Sequence, residues 1–331
     1  MKKSLIFGLF GQDSWFLSNL LIKRGDHVTG CHRHTYLNDQ FQDFPLDKMD
    51  MYSCDMMDRQ SVDSIINLVK PDEIYNLAAN SFVGDSFNKP AQVINNNMIS
   101  HINLLESIRA NAPRAKLYYA GSSEEFNITS PYGVSKDAIR KLNDIYRESY
   151  GLFICHAQNF NHTSWRHSSQ FFVPKVCKYV ANLHRWLINY KILSTSGVLI
   201  KGQCIYGNAN FSWLPKLEVG LLSSYRDILY AEDVMEAAII MMAQEKSDIY
   251  EVASGKLQNM YQVLEYAFGA IKMEYEKFII QKDDLLRPTS SEKCPPVCLC
   301  PKLRSLGWEP SYDTKGLIGS MVLEYLVRGI K

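Results

Sequence analysis

The stretch SLIFGLFGQDS, from Ser4 to Ser14, decides the fold. Its first part, Ser4–Leu9, is apolar and short enough for a buried β-strand, and Asp13–Lys23 then carries apolar residues at helical spacing. The glycines at the junction, Gly8 and Gly11, allow a tight turn from strand to helix. A buried strand that turns sharply into a helix is typical of the first unit of a parallel α/β sheet.

The alternation of apolar strand and amphipathic helix continues through the N-terminal half. The pattern predicts strands at His27–Cys31, Glu73–Ala78, Lys116–Ala120 and Leu152–Ala157, and helices at Gln60–Val69, Ala91–Ala112, Tyr132–Tyr150 and Phe172–Trp186. We therefore expect a doubly wound parallel sheet with helices on both faces over residues 1–160, to which a later segment of about 220–255 returns. Residues 161–331 are expected to form mainly a smaller, mixed α/β domain.

Composition and charge exclude several classes of protein. The chain has 331 residues and a formal net charge of +1, and it contains no lysine/arginine run that would follow a nucleic-acid backbone. No apolar stretch is long enough to cross a bilayer, and the N-terminal apolar run has no small-residue cleavage site behind it. The eight cysteines include no CxxC pair and no adjacent histidine that would complete a zinc site. We expect no metal, no nucleic acid, no membrane contact, and reduced thiols in the cytoplasm.

The turn around Gly8 and Gly11 is also a candidate anion site. It lies at a helix N-terminus, where backbone N–H groups and the helix dipole favour a pyrophosphate, and it continues with Gln12 and Asp13. Only two residues separate the glycines, and Ser14 stands where the usual fingerprint has a third glycine. A purely structural turn is the alternative, but the position at the first strand–helix junction favours a dinucleotide cofactor.

Two residues near the ends of later strands bear on which dinucleotide binds. Where NAD enzymes carry a carboxylate for the ribose hydroxyls, the sequence reads His32-Arg33-His34. The Arg33 guanidinium suits a 2′-phosphate, so NADP is the predicted cofactor, although a solvated basic turn is the alternative. Asp55 is a candidate for the adenine amino group, with an ordinary helix-capping role as its alternative.

Tyr132 and Lys136 form the most specific chemical pattern. Four residues apart on a helix, they share one face, and a nearby ammonium group favours a phenolate by lowering the pKa of the tyrosine. The preceding strand ends in a segment that contains Ser122 and Glu124, which places a hydroxyl and a carboxylate at the same edge of the sheet. These four residues are the predicted catalytic group for carbonyl–alcohol chemistry, although tyrosine–lysine pairs of this spacing also occur by chance.

The chain also resembles a known family along almost its whole length. The matching segments are Gly8–Asp13, Pro71–Ala79, Ser81–Val83, Ser86-Phe87, Ser122–Glu124, Ser130–Gly133, Phe160–His162, Arg226-Asp227, Ala231 with Asp233, Arg287-Pro288 and Leu306–Pro310. In these segments it is similar to the extended short-chain dehydrogenases/reductases (the NAD-dependent epimerase/dehydratase family), and within them most similar to GDP-mannose 4,6-dehydratases. The resemblance implies a Rossmann-type NADP domain followed by a substrate domain.

The resemblance further implies a reaction and a role for each matched residue. In the family, the tyrosine takes the proton of the sugar O4 hydroxyl while hydride passes from C4 to NADP. A glutamate then removes the C5 proton and helps to expel the C6 hydroxyl, and hydride returns to C6. Tyr132, Lys136 and Glu124 match the tyrosine, the lysine and the glutamate, and Ser122 stands in place of the usual threonine. The other matches are Ala78 and His162 at the cofactor, and Ser81, Asn161, Arg226 and Arg287 at the nucleotide sugar.

Several departures keep other functions open. Only Glu125–Pro131 lie between the glutamate and the tyrosine, where the family has about twenty residues, and a segment around 186–215 has no counterpart. Gly121–Phe126 also resembles the reductases that act on the 4-keto product. The expected function is therefore conversion of GDP-mannose to its 4-keto-6-deoxy form, by a homodimer or homotetramer. The alternatives are a reductase or epimerase acting on a nucleotide sugar, or a catalytically silent homologue that binds NADP and a sugar nucleotide.

Overall fold

The computed structural model describes residues 1–33, 43–189, 215–285 and 293–329. The segment expected as an insertion around 186–215 therefore lies mostly outside the described residues, as do His34 and Arg287. The strands are β1 (Lys3–Phe7), β2 (His27–His32), β3 (Asp50–Ser53), β4 (Glu73–Asn76), β5 (Lys116–Ala120), β6 (Ile154–Asn159), β7 (Asn161–Thr163), β8 (Leu217–Val219), β9 (Tyr225–Tyr230), β10 (Ile249–Val252), β11 (Leu257–Asn259) and β12 (Ile279–Gln281). The helices are α1 (Gln12–Arg24), α2 (Arg59–Val69), α3 (Val83–Asn88), α4 (Pro90–Asn111), α5 (Pro131–Tyr150), α6 (Phe172–Asn189), α7 (Ala231–Met242), α8 (Met260–Gly269), α9 (Pro301–Arg304) and α10 (Thr314–Arg328).

The central sheet confirms the predicted doubly wound architecture. Within the described residues it has seven parallel strands in the order β10-β6-β5-β4-β1-β2-β3. The strand order reverses between β1 and β4, where Ser4 pairs with Glu73 and Phe7 with Asn76. At such a reversal the connections leave the sheet on opposite sides and open a crevice at the carboxyl ends of the strands. The glycine turn therefore lies at the position where this fold binds ligands.

The core of this sheet forms because its strands are apolar on both faces. Leu5, Phe7, Ile74, Leu117 and Ile154 are buried on the strands, and they pack with Val62, Ile65 and Ile66 of α2 and Leu104, Leu105 and Ile108 of α4. A parallel sheet covered on both faces buries both sides of its strands, so most of their residues are apolar. The core thus holds the strand ends that carry the candidate site.

The chain divides into two compact units. The first comprises Met1–His162, Tyr230–Gly255 and Pro295–Ser311, and the second Thr163–Leu229, Lys256–Cys294 and Tyr312–Lys331. The return of Pro295–Ser311 to the first unit was not predicted from the sequence, and residues 220–229, expected with that unit, belong to the second. The reason for the return is Trp308, which is buried and donates its indole N–H to the carbonyl of Asp233 at 2.8 Å.

The second unit is smaller and mixed in structure. Its helices α6, α8 and α10 pack together, and β9 pairs antiparallel with β11 while β8 pairs parallel with β12. Among the residues that the structure describes, no helix is both long and apolar enough to cross a membrane.

Candidate active site

The turn between β1 and α1 lies unusually close to the backbone of the loop that follows β4. Gly8 has a φ of +89°, and a Cβ at this position would lie only 2.8 Å from the backbone nitrogen of Ala78. A side chain would therefore clash with the loop that follows β4, besides straining the backbone. Gly11 is the N-cap of α1, and no side chain caps the helix there. The two glycines leave backbone N–H groups of the turn and the helix start accessible to a phosphate.

Ser14, which replaces the third glycine of the usual fingerprint, is fully buried. Its hydroxyl contacts the carbonyl oxygen of Leu9 and lies 2.8 Å from that of Gly11. The Ser14 hydroxyl therefore stabilises the turn by hydrogen bonding to its carbonyl oxygens. The replacement of glycine by serine does not by itself indicate that a cofactor site has been lost.

Asp13 and Gln12 connect the start of α1 to His162 on β7, the short strand that follows β6. The Asp13 carboxylate accepts a hydrogen bond from Nε2 of His162 at 2.9 Å, and Gln12 Nε2 donates to the His162 carbonyl at 3.2 Å. His162 Nδ1 lies 2.9 Å from the Phe160 carbonyl, which only accepts, so both ring nitrogens act as donors. Burial opposes the charged form, but the Asp13 carboxylate and these hydrogen bonds outweigh it and raise the pKa of His162. The pair fixes the helix N-terminus against β7.

Arg33 and Asp55, predicted to select NADP and to bind adenine, lie after β2 and β3. Arg33 is exposed directly beyond the end of β2. Asp55 is also exposed, and its carboxylate accepts the backbone N–H of Met57 at 3.0 Å. The N-cap of α2 is Asp58 and not Asp55. The alternative prediction, that Asp55 is an N-cap, is thus wrong. Asp55 instead stabilises the turn that precedes α2.

The end of β5 carries Ser122 and Glu124 in a short 3-10 turn, Ser123–Glu125. The Ser122 hydroxyl accepts the backbone N–H of Glu124 at 3.2 Å. The Glu124 carboxylate is half-buried and accepts a hydrogen bond from the Ser130 hydroxyl at 3.3 Å. The turn therefore fixes the hydroxyl and the carboxylate relative to one another.

Ser130 shows how the short link to α5 works. Its hydroxyl accepts the Gly133 N–H at 3.0 Å as the N-cap of α5, and Pro131 occupies the first helical turn. Ser and Pro at these positions are strong helix-start signals. The same hydroxyl donates to Glu124, a role that we did not predict. The link of seven residues thus ties the candidate base directly to the helix that carries Tyr132.

Tyr132 and Lys136 are buried on the first two turns of α5. The Tyr132 phenol and the Ser122 side chain are neighbours at this strand end. The Lys136 ammonium lies 5.7 Å from the centre of the Tyr132 ring. It donates to the Ala120 carbonyl at 2.6 Å and to the Tyr119 hydroxyl at 3.0 Å. The four predicted catalytic residues therefore come together at the carboxyl end of β5.

The expected lowering of the Tyr132 pKa is wrong for this structure. Burial raises the pKa of Tyr132, and the nearby carboxylates, first Glu124, add to the rise, while the neighbouring Ser122 side chain opposes it. Lys136 is itself buried and directs its hydrogen bonds to Tyr119 and Ala120, which is why its charge does not dominate at the phenol. Spacing alone predicted the neighbourhood of the two groups but not the burial that they share.

The residues predicted to bind the nucleotide sugar are distributed over both units. Ser81 and Asn161 are exposed in the first unit, after β4 and at the start of β7. Arg226 is half-buried on β9 of the second unit, where its guanidinium donates to the Tyr225 carbonyl at 2.6 Å. Arg287 lies outside the described residues. Among the described residues, no cluster of histidine, cysteine or carboxylate side chains could hold a metal ion.

Comparison with known proteins identifies the family. The family model described as GDP-mannose 4,6 dehydratase matches residues 5–190 and 205–321. This chain belongs to the GDP-mannose 4,6-dehydratase family. GDP-mannose 4,6 dehydratase 2 of Arabidopsis thaliana is 29% identical over 353 residues, which cover 98% of this chain and 87% of the relative. The match therefore includes the glycine turn, the end of β5 and both units.

Solved structures share the fold of this family member. The UDP-glucose 4-epimerase of Thermotoga maritima has a TM-score of 0.79 at 17% identity, covering 99% of this chain and 100% of that one. RMD from Pseudomonas aeruginosa, complexed with NADPH, has a TM-score of 0.73 at 18% identity and equal coverage. This chain and these solved structures therefore share the Rossmann-type architecture.

Proposed function

We propose that this chain is a nucleotide-sugar 4,6-dehydratase that converts GDP-mannose to GDP-4-keto-6-deoxymannose with tightly bound NADP. The observation that carries the proposal is the assembly of Ser122, Glu124, Tyr132 and Lys136 at one strand end in a chain of this family. An acid/base tyrosine and a separate carboxylate at one site suit a reaction with two distinct proton transfers.

The residues around the glycine turn fit a bound NADP. Gly8 has no room for a Cβ, and Gly11 leaves the start of α1 without a side-chain cap. Arg33 supplies a guanidinium beyond β2 for the 2′-phosphate. We assign Gln12, Asp13, Asp55, Ala78 and His162 to the same cofactor, together with Tyr132 and Lys136. When bound, NADP would take hydride from C4 of the sugar and later return it to C6.

The protein's own residues then perform the proton transfers. Tyr132, acting as the phenolate, accepts the O4 proton as the alcohol is oxidised, and the neighbouring Ser122 hydroxyl orients O4. The new ketone makes the C5 proton acidic. Glu124 removes that proton and helps the C6 hydroxyl to leave as water. As hydride returns to C6, C5 takes up the proton that Tyr132 holds. The cofactor and both side chains would then end as they began, so the net change is loss of one water.

Substrate binding and assembly complete the proposal. We assign Ser81, Asn161, Arg226 and Arg287 to the nucleotide-sugar diphosphate, for which the two guanidinium groups are suited. The second unit would then serve mainly as the substrate domain, and the protein would act in the cytoplasm as a homodimer or homotetramer.

Replacing Glu124 by glutamine tests the dehydratase assignment against a reductase. In a dehydratase Glu124 acts after oxidation, so Glu124→Gln lowers product formation about 100-fold or more while hydride still leaves C4. Reduced cofactor then accumulates on the enzyme, and its near-ultraviolet absorption is measured after GDP-mannose is added. The glutamine can still accept the Ser130 hydrogen bond, which keeps the turn in place.

Glu148→Gln, at an exposed position on α5, is the matched control and should leave turnover unchanged. Near-normal catalysis by Glu124→Gln would contradict the proposal. Stoichiometric consumption of NADPH with a 4-keto sugar would establish the reductase instead. Absence of both product and reduced cofactor with every nucleotide sugar would favour the silent homologue.

A further inference from the structure

Glu125, beside the candidate base Glu124, points into the protein core. Its side chain is fully buried, yet both carboxylate oxygens accept hydrogen bonds. Oε1 accepts the Ser122 N–H at 2.8 Å, and Oε2 accepts from Gln158 Nε2 at 3.1 Å. The His156 ring donates from Nε2 to both oxygens at 3.0 to 3.1 Å. Three donors around one carboxyl group match the ionised form, which only accepts.

The Glu125 site is the end of a longer buried chain of hydrogen bonds. Asn76 Nδ2 lies 3.1 Å from His101 Nδ1, His101 Nε2 lies 2.7 Å from Asn143 Oδ1, and Asn143 Nδ2 lies 3.0 Å from His156 Nδ1. At the far end the Ala78 N–H donates to Asn76 Oδ1 at 3.2 Å. Because backbone donors fix both ends, every side chain donates in the direction of Glu125. Such aligned bonds reinforce one another and stabilise a negative charge at their end.

The fold makes room for this pair of groups at Gly121. A Cβ there would lie 2.5 Å from His156 Nε2 and 2.7 Å from Glu125 Oε1. Glycine at this position is therefore needed for the imidazole and the carboxylate to reach the strand end. Buried polar groups cost stability unless they are fully hydrogen-bonded, and this network meets that condition.

The network also reaches the surroundings of Lys136. The Tyr119 ring, whose hydroxyl accepts from Lys136, lies 4.3 Å from the His101 ring and 5.3 Å from the His156 ring between centroids. Among the described residues, the ionisable groups around Lys136 include Tyr119 on β5, Tyr132 on α5, His101 on α4 and Glu125, and His156 on β6 lies against the Tyr119 ring. Glu125 is the carboxylate of this group.

We propose that Glu125 is a positioning residue of this active site, which holds the Ser122–Glu124 turn through the Ser122 N–H and is coupled to Lys136 across the His156 and Tyr119 rings. The effect of Glu125 on turnover rests on the proposed function, whereas its electrostatic effect on Lys136 does not. Burial lowers the pKa of Lys136 to about 8, and the Glu125 charge opposes that decrease. A buried lysine without this anion would lose its proton at lower pH.

The test compares Glu125→Gln with Glu73→Gln. Glu73 is an equally buried carboxylate of the first unit. It is hydrogen-bonded to Lys2 and Tyr75, and it lies at the start of β4, away from the carboxyl end of that strand. The first measurement is the free energy of unfolding as a function of pH, for each protein with and without Lys136→Met. The difference between the two curves gives the pH at which Lys136 loses its proton. We expect Glu125→Gln to move this transition to lower pH by about one unit or more, and Glu73→Gln to leave it in place.

The second measurement is the pH profile of turnover. With Glu125→Gln, kcat falls and its alkaline limb moves to lower pH while KM changes little, whereas Glu73→Gln affects stability alone. An unchanged Lys136 transition in Glu125→Gln would overturn the inference, whatever reaction the enzyme catalyses. Absence of turnover in the unmodified protein would count against the proposed function and leave the first measurement valid.

A variant that does not fold is also informative. If Glu125→Gln alone leaves the chain unfolded, we expect the double variant Glu125→Gln/Lys136→Met to fold again, because it removes both charges of the pair. Failure of the double variant to recover folding would contradict the proposed coupling between Glu125 and Lys136.

Discussion

Lys136 is a cation in a place where charge is costly. It is buried, and its ammonium group has two oxygen partners, the Ala120 carbonyl and the Tyr119 hydroxyl. The sequence predicts that Lys136 and Tyr132 share one face of a helix, because they are four residues apart. The sequence does not predict the hydrogen bonds or the burial of Lys136, because these depend on β5 and on the core beneath it. For the same reason the direction of the Tyr132 pKa shift was mispredicted.

The buried charge gives stability a defined pH dependence. Burial lowers the pKa of Lys136 to about 8, from 10.5 in the unfolded chain, with Glu125 opposing. Between these values the unfolded chain holds a proton that the folded chain has lost, so stability rises with pH. We expect the unfolding free energy of the protein, minus that of Lys136→Met, to rise by roughly 3 kcal/mol from pH 8 to 10.5.

Urea denaturation at a series of pH values measures this difference. Subtraction of the two proteins removes the titration of all other groups that they share. Lys141→Met, at an exposed position of the same helix, should give an almost constant difference. A constant difference for Lys136→Met as well would show that Lys136 is not held at the depth described.

The element that most clearly joins local structure to function is α1 with its two flanking glycines. Gly8 before the helix and Gly25 at its end have nearly the same φ, +89° and +91°. A Cβ at Gly25 would meet nothing within 4 Å, whereas one at Gly8 would meet the Ala78 backbone at 2.8 Å. The two positions therefore separate backbone strain from steric exclusion.

We expect Gly25→Ala to lower the free energy of unfolding by about 1 to 2 kcal/mol, the cost of a left-handed conformation with a side chain. Gly8→Ala should lower it further and also abolish NADP binding, because the Ala78 loop must move. Urea denaturation and calorimetric titration with NADP measure the two effects. Equal stability and equal NADP affinity in the two variants would contradict a phosphate site at Gly8.

At this scale much of the fold was predictable from the sequence. The strands and helices that were predicted up to Ala157 lie within a few residues of the observed bounds, because short apolar runs and helical spacing are local properties. The bounds of β3, α7, β10 and α9 in the same unit were not predicted. Helix α3 was not expected, since Val83–Asn88 has no clear periodicity. Ser14 was read only as a lost glycine, because its bonds to the carbonyls of Leu9 and Gly11 exist only once the turn has formed.

Over the whole molecule, the parts that the sequence did not predict are the long-range polar contacts. Asn76, His101, Asn143, His156 and Glu125 come from five different elements, and nothing in their spacing relates them. Their one local sign is that polar residues such as His156 and Gln158 stand in an apolar strand. The partner of a buried polar residue is a property of the tertiary fold, so the network became visible only in the structure.

The assembled site is proposed to remove water from a GDP-hexose without net consumption of cofactor. The most direct measurement incubates the purified protein with GDP-mannose and NADP and determines the product by mass spectrometry, with Tyr132→Phe as the inactive comparison. We expect a GDP-sugar lighter by one water, with no NADPH left in solution. A GDP-mannose that keeps its mass, or a product formed only with stoichiometric oxidation of NADPH, would contradict the account.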